Sequence, residues 1–157
     1  MKHKLLHENW QMTRRGANDW IPAVVPGSVY GDLLANGRME DPYYRDNELK
    51  ALEIIGDDFE YVTHFDVPED FLKEEKLILR FDGIDTIADI MLNGTILGHT
   101  ENMHRIFEYS VRELLKPEDN ELRVLLFSPT RYIEQAYEKQ PIEGSSVAMR
   151  GFPYLRK

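Results

Sequence analysis

Phe59 to Val67 alternates along the chain, with Phe59, Tyr61, Thr63, Phe65 and Val67 on one side and Glu60, Val62, His64 and Asp66 on the other. That period of two predicts a strand with one face on a core. Lys76 to Asp82 repeats the pattern with Leu77, Leu79 and Phe81 inward, and Glu121 to Phe127 sets Leu122, Val124 and Leu126 opposite Arg123, Leu125 and Phe127. Asp85 to Gly98 predicts a β-hairpin: Ala88, Ile90 and Leu92 share a face, and Asn93-Gly94 supplies the two positive-φ positions of a tight turn. Helical periods are fewer. Ser28 is placed to cap a short helix from Val29 to Asn36 with Leu33 and Leu34 inward and Gly37 as a left-handed stop. Ser110-Val111-Arg112-Glu113 has the form of a capping box, predicting a turn or two through Leu114-Leu115 before Pro117, and Thr130 to Lys139 carries Ile133, Ala136 and Tyr137 at helical spacing. Gly and Pro punctuate the chain at short intervals throughout. Short strands at roughly 8 to 12 residue spacing with tight turns predict an all-β chain, an antiparallel β-sandwich or jelly roll with a few short helices.

A length of 157 residues suits one domain with a core of its own, and no repeat or low-complexity stretch marks a second. It also excludes a complete TIM barrel, which needs about 200 residues. The charge narrows the partners: 19 Lys and Arg against 28 Asp and Glu give a net charge of -9, which opposes phosphate neutralisation, so neither nucleic acid nor an anionic membrane is an expected partner. The first residues, Met1 to Glu8, lack the apolar run of a signal peptide, and no segment reaches the ~18 apolar residues of a membrane span. The chain has no Cys, which removes disulfides, thiolate zinc sites and cysteine nucleophiles and suits a reducing, cytoplasmic location.

Residue chemistry taken by itself names no reaction. His3 and His7 have helical ligand spacing without the intervening Glu, and His64, His99 and His104 fall singly, so neither a metal nor another cofactor is expected. Ser28, Ser110, Ser128, Ser145 and Ser146 lack the Gly-x-Ser-x-Gly elbow, and the many carboxylates read as solvated turns and faces. What stands out is the stretch from Val25-Pro26-Gly27-Ser28 to Asp41-Pro42-Tyr43-Tyr44-Arg45-Asp46-Asn47-Glu48, where aromatic rings adjoin amide, carboxylate and guanidinium groups. Sugar sites combine the same two chemistries. The other reading has Pro42 starting a loop whose tyrosines pack on the sandwich and whose Arg45 pairs with a nearby acid.

Several of these segments together resemble the N-terminal sugar-binding domain of the β-mannosidases of glycoside hydrolase family 2. Trp10, Trp20, Pro26-Gly27, the strand around Tyr61 to Val67, Phe81 to Gly94 and Asp119 to Val124 follow the pattern shared with the β-galactosidases and β-glucuronidases of that family. Val25 to Tyr30 with Asp32-Leu33-Leu34, Asp41 to Arg45 with Asn47-Glu48, and Asn102 to Arg105 are similar to the mannosidase branch. Phe59 stands where the family often has Trp, and Leu52 to Gly56 lacks another. The resemblance implies a non-catalytic domain of a retaining exo-glycosidase for terminal β-D-mannosyl residues. It also implies that a Trp-Asp-Trp-Gly-Pro loop, an immunoglobulin-like domain and a catalytic barrel lie beyond Leu155-Arg156-Lys157. No catalytic residue carries over to this chain, which by itself is expected to be inactive. The implied partners are β-mannoside oligosaccharides or glycosides and the enzyme's own barrel. The residues expected to wall the substrate pocket are Tyr43, Tyr44, Arg45, Asn47 and Glu48, then Asn102 and Arg105. The alternatives are a β-galactosidase or β-glucuronidase domain, a stand-alone carbohydrate-binding module, and a protein-interaction sandwich.

Overall fold

A computed structural model describes residues 2–54 and 56–141. Ser145, Ser146 and Leu155 to Lys157 lie outside the described residues. The elements run β1 (Gln11–Arg14), β2 (Ile21–Pro22), α1 (Val29–Ala35), α2 (Asn47–Ile54), β3 (Phe59–Phe65), α3 (Glu69–Leu72), β4 (Ile78–Phe81), β5 (Ile87–Leu92), β6 (Thr95–Glu101), β7 (Phe107–Ser110), β8 (Asn120–Leu126) and α4 (Pro129–Lys139). Six strands form an antiparallel sheet in the order β2-β1-β3-β8-β5-β6, and β4 and β7 pair as a second, two-stranded sheet. The all-β sandwich predicted from the alternation is the fold found.

The alternation sets the layers. In the β3–β8 ladder Phe59, Tyr61, Thr63 and Phe65 lie opposite Leu126, Val124, Leu122 and Asn120. Inward residues of these strands meet Ala88, Ile90 and Leu92 of β5, and Leu79, Phe81 and Tyr109 close over them from the second sheet. Tyr109 crosses β6 at Gly98, where an added Cβ would stand 2.8 Å from the tyrosine ring, so the two sheets approach over a position without a side chain. Because β3 and β8 are interior strands, Val62 and Leu125 on the other face are buried too. There Arg123 lies between Glu60 at 2.7 Å and Glu121 at 3.2 Å, under the ring of Trp20.

The hairpin turns where expected, with Asn93 at φ 51° and Gly94 at φ 80°. Its Asn93 side chain also accepts from the Glu121 backbone N–H and donates to Leu114 O and Asn120 Oδ1, clamping the turn to the start of β8. Asn120 is fully buried. Its Oδ1 accepts from Lys116 N and Asn93 Nδ2, and its Nδ2 donates to the carbonyls of Lys116 and Phe65.

One helical expectation changes. Ser28 does cap α1, accepting from Gly31 N at 3.1 Å, but Val29, Asp32 and Leu33 form its inner face. Leu34 lies about 100° further round the helix and is exposed. After Ser110 one turn forms, within the turn or two expected, with Leu114 and Leu115 N–H both donating to Val111 O. Lys116 cannot extend it, since the Asn120 side chain takes both its N–H and its C=O. The helix expected from Thr130 to Lys139 is α4. Ser128 caps it, and the buried Asp58 accepts from Ser128 N at 2.9 Å and Arg131 Nη1 at 3.1 Å. The short β1, β2 and β7, with α2 and α3, add to the elements that the pattern predicts.

Candidate functional site

A cleft of about 490 Å³ opens at one end of the sandwich. Its floor is the inner face of β3 and β8, with Phe59, Tyr61, Val124 and Leu126. One wall is the loop Val24 to Tyr30, and the other is Gly83 to Ile87, leading into β5. The loop's tight path needs glycine at 27, because a Cβ there would sit 2.1 Å from the Val24 carbonyl oxygen.

Asp32 ties this wall to the floor. Its carboxylate, 3% exposed, accepts from Val24 N at 2.9 Å and from the Tyr61 hydroxyl at 2.8 Å. Burial first, and then the bond to Asp32, push the Tyr61 phenol far above the ordinary tyrosine range. The folded state therefore keeps a proton that the unfolded chain sheds. Stability is unaffected below about pH 10 and falls as pH rises further, by up to about 1.4 kcal/mol per pH unit for this group. Tyr30 and Tyr109 are raised by burial as well. Urea melts between about pH 8 and pH 11 should show this alkaline loss, and Tyr61→Phe should flatten it without abolishing it. An unchanged slope in the variant would refute the assignment.

The seven residues expected at a sugar pocket fall into two groups, and none of them lines the cleft. Tyr43, Tyr44 and Arg45 form a turn leading into α2, which begins with Asn47 and Glu48. Asp41 organises the turn, its Oδ1 accepting from Tyr43 N at 2.9 Å and its carbonyl from Asn47 Nδ2 at 3.0 Å. The tyrosines do not pack on the sandwich: Tyr43 is 96% exposed and Tyr44 58%. The guanidinium of Arg45 lies 5.0 Å from the centroid of the Tyr44 ring. Arg45 holds φ at 56°, a left-handed backbone that costs an L side chain about 1 kcal/mol or more. Glu48 is exposed in the first turn of α2.

Asn102 and Arg105 sit apart, on the turn between β6 and β7. Asn102 Oδ1 accepts from His104 N at 2.9 Å, and Arg105 lies 5.9 Å from the Phe107 ring. This turn does abut the cleft rim, since a Cβ on Gly83 would meet the Met103 carbonyl oxygen at 2.9 Å. Among the described residues no cluster of three or more His, Asp or Glu is placed to hold a metal, and no helix is long and apolar enough to cross a membrane.

Sequence reasoning missed Asp32 and Tyr61. The available signal was an acid at the fourth position after the Ser28 cap, on the face that Val29 and Leu33 turn inward.

A six-plus-two-stranded sandwich of this topology, with its cleft at one end, belongs among the galactose-binding-like domains. Residues 10–157 match the family described as "Glycosyl hydrolase 2 galactose-binding domain-like", and the chain is a member of that family. Curated relatives include the β-mannosidase of Rattus norvegicus, 34% identical over 82% of this chain and 14% of its own length. Another, the β-mannosidase of Capra hircus, is 34% identical over 85% of this chain and 15% of its own. The solved β-D-mannosidase of Dictyoglomus thermophilum superposes with a TM-score of 0.84 at 38% identity, covering 88% of this chain and 17% of that one. A β-glucuronidase from an uncultured Clostridium sp. shares the fold at a TM-score of 0.60 and 23% identity, over 79% of this chain and 22% of its own. The chain thus spans about one-sixth of the length of the relatives it matches.

Proposed function

We propose that this chain is the N-terminal, non-catalytic domain of a larger retaining exo-glycosidase that removes terminal β-D-mannosyl residues. The observation that carries the reading is the 38% identity and 0.84 TM-score to the Dictyoglomus thermophilum β-D-mannosidase. The β-glucuronidase likeness, at 23% identity, supports the fold alone. In this reading the two catalytic carboxylates, about 5 to 5.5 Å apart in a retaining enzyme, belong to another part of the protein. This domain contributes a wall.

The Tyr43–Glu48 segment has the composition for that work. Two exposed phenol rings offer faces to the C–H side of a pyranose, and Arg45, Asn47 and Glu48 offer directional partners for hydroxyls. Contacts made equally in ground and transition state lower KM and leave kcat alone. Replacing Tyr43 and Tyr44 together by Ala in the full-length enzyme is therefore expected to raise KM for nitrophenyl β-mannoside about tenfold, with kcat within about twofold. Steady-state kinetics provide the check, and an unchanged KM removes the segment from the pocket.

A further inference from the structure

Among the described residues, α2 meets the sandwich through few side chains. Leu49 and Leu52 are 60% and 61% exposed, and Ala51 is the helix's buried residue. Ile54 packs partly against the core. The Tyr30 hydroxyl donates to the Ala51 carbonyl at 2.5 Å, a bond from α1 to the buried residue of α2.

Tyr30 is in turn held firmly. It lies on α1, two positions before Asp32, whose carboxylate is bonded to Tyr61 at the centre of the sheet. A continuous path therefore runs from β3 through Asp32 and Tyr30 to Ala51. The Tyr43–Arg45 turn is bound to α2 rather than to the sandwich, through Asn47 to Asp41 at 3.0 Å and Lys50 to Glu40 at 2.6 Å. Whatever fixes α2 fixes the turn.

We infer that Tyr30 is the positioning residue for the Tyr43–Glu48 segment: its hydroxyl, bonded to the Ala51 carbonyl, sets where α2 and the exposed tyrosines stand relative to the sandwich. The consequence for substrate rests on the pocket-wall role proposed above, while the anchoring does not. Burial raises the Tyr30 phenol above its ordinary value, so the hydroxyl remains a donor at neutral pH.

Tyr30→Phe removes the hydroxyl and keeps the ring, so the sandwich is retained. Amide hydrogen exchange on the 157-residue chain should then run about fivefold faster across α2, while amides of β3, β5 and β8 keep their wild-type rates. Unchanged exchange in α2, or acceleration spread evenly over the chain, overturns the anchoring role. In the full-length enzyme the same variant should raise KM for nitrophenyl β-mannoside about threefold with kcat within about twofold. Faster α2 exchange with an unchanged KM overturns the link to substrate, and the fault then lies with the pocket-wall reading rather than with Tyr30.

Discussion

Asn120→Ala is expected to destabilise the domain by about 3 to 5 kcal/mol, more than the truncation of any other polar side chain in the sandwich. The side chain is fully buried and serves four partners at once: Lys116 N, Asn93 Nδ2, Lys116 O and Phe65 O. Alanine removes all four bonds and leaves the groups with no replacement in the protein. A buried polar group stripped of its partner costs about 1 to 3 kcal/mol, and two of these four belong to the turn that ends before Pro117. The hairpin is affected as well, because Asn93 reaches both Asn120 and the Glu121 backbone. At about 2 to 4 °C per kcal/mol for a domain of this size, the melting temperature should drop by roughly 10 °C. A calorimetric scan showing a drop of less than about 3 °C would mean that this cluster does not hold β8 to the hairpin.

Asp32→Ala should come next, at about 3 to 4 kcal/mol, with consequences for the cleft as well as for stability. The carboxylate pairs the Tyr61 hydroxyl with the Val24 backbone N–H, and both lose a buried acceptor. Asp32→Asn keeps the shape and one acceptor oxygen, so it should lose about half as much. The two variants therefore separate the cavity from the hydrogen bonds. Chemical denaturation of both is the check, and equal losses would show that packing, rather than the paired acceptor, holds the Val24 to Tyr30 loop in place.

How much of this was legible in the sequence depends on the distance over which each residue acts. The hairpin from Ile87 to Glu101 was readable because Asn93-Gly94 needs positive φ and the flanking residues alternate, all within a few positions. Ser28 and Gly37 marked α1 for the same local reason, and Gly37 takes φ 65°. Asp32 and Asn120 were opaque because their partners lie 29 and 55 residues away in Tyr61 and Phe65, and a polar residue without a visible partner reads as surface. α2 hid because Leu49 and Leu52 face solvent, so its apolar residues carry no inward period.

The candidate site divides along the same line. Its residue chemistry, aromatic rings beside amide, carboxylate and guanidinium groups, drew attention to the Tyr43–Glu48 segment, and the structure keeps its residues on one turn and helix. The reading in which the tyrosines pack inward fails because Asp41 and the left-handed Arg45 turn the segment outward, stacking Arg45 on Tyr44 instead of on an acid. The cleft was the reverse case. Its walls, Val25 to Ser28 and Asp85 to Ile87, were noticed as motifs, but that they face each other across Tyr61 follows only from the order in which the strands assemble.

The central claim is that this domain serves a β-mannosidase whose catalytic carboxylates lie elsewhere in the protein. Its most direct test is the release of nitrophenol from nitrophenyl β-mannoside, measured side by side for the purified 157-residue chain and for the full-length enzyme that carries it. The expected result is no turnover by the chain and turnover by the enzyme, with the mannoside preferred over the galactoside and glucuronide. Turnover by the chain alone, or an enzyme that prefers the galactoside or glucuronide, would contradict it.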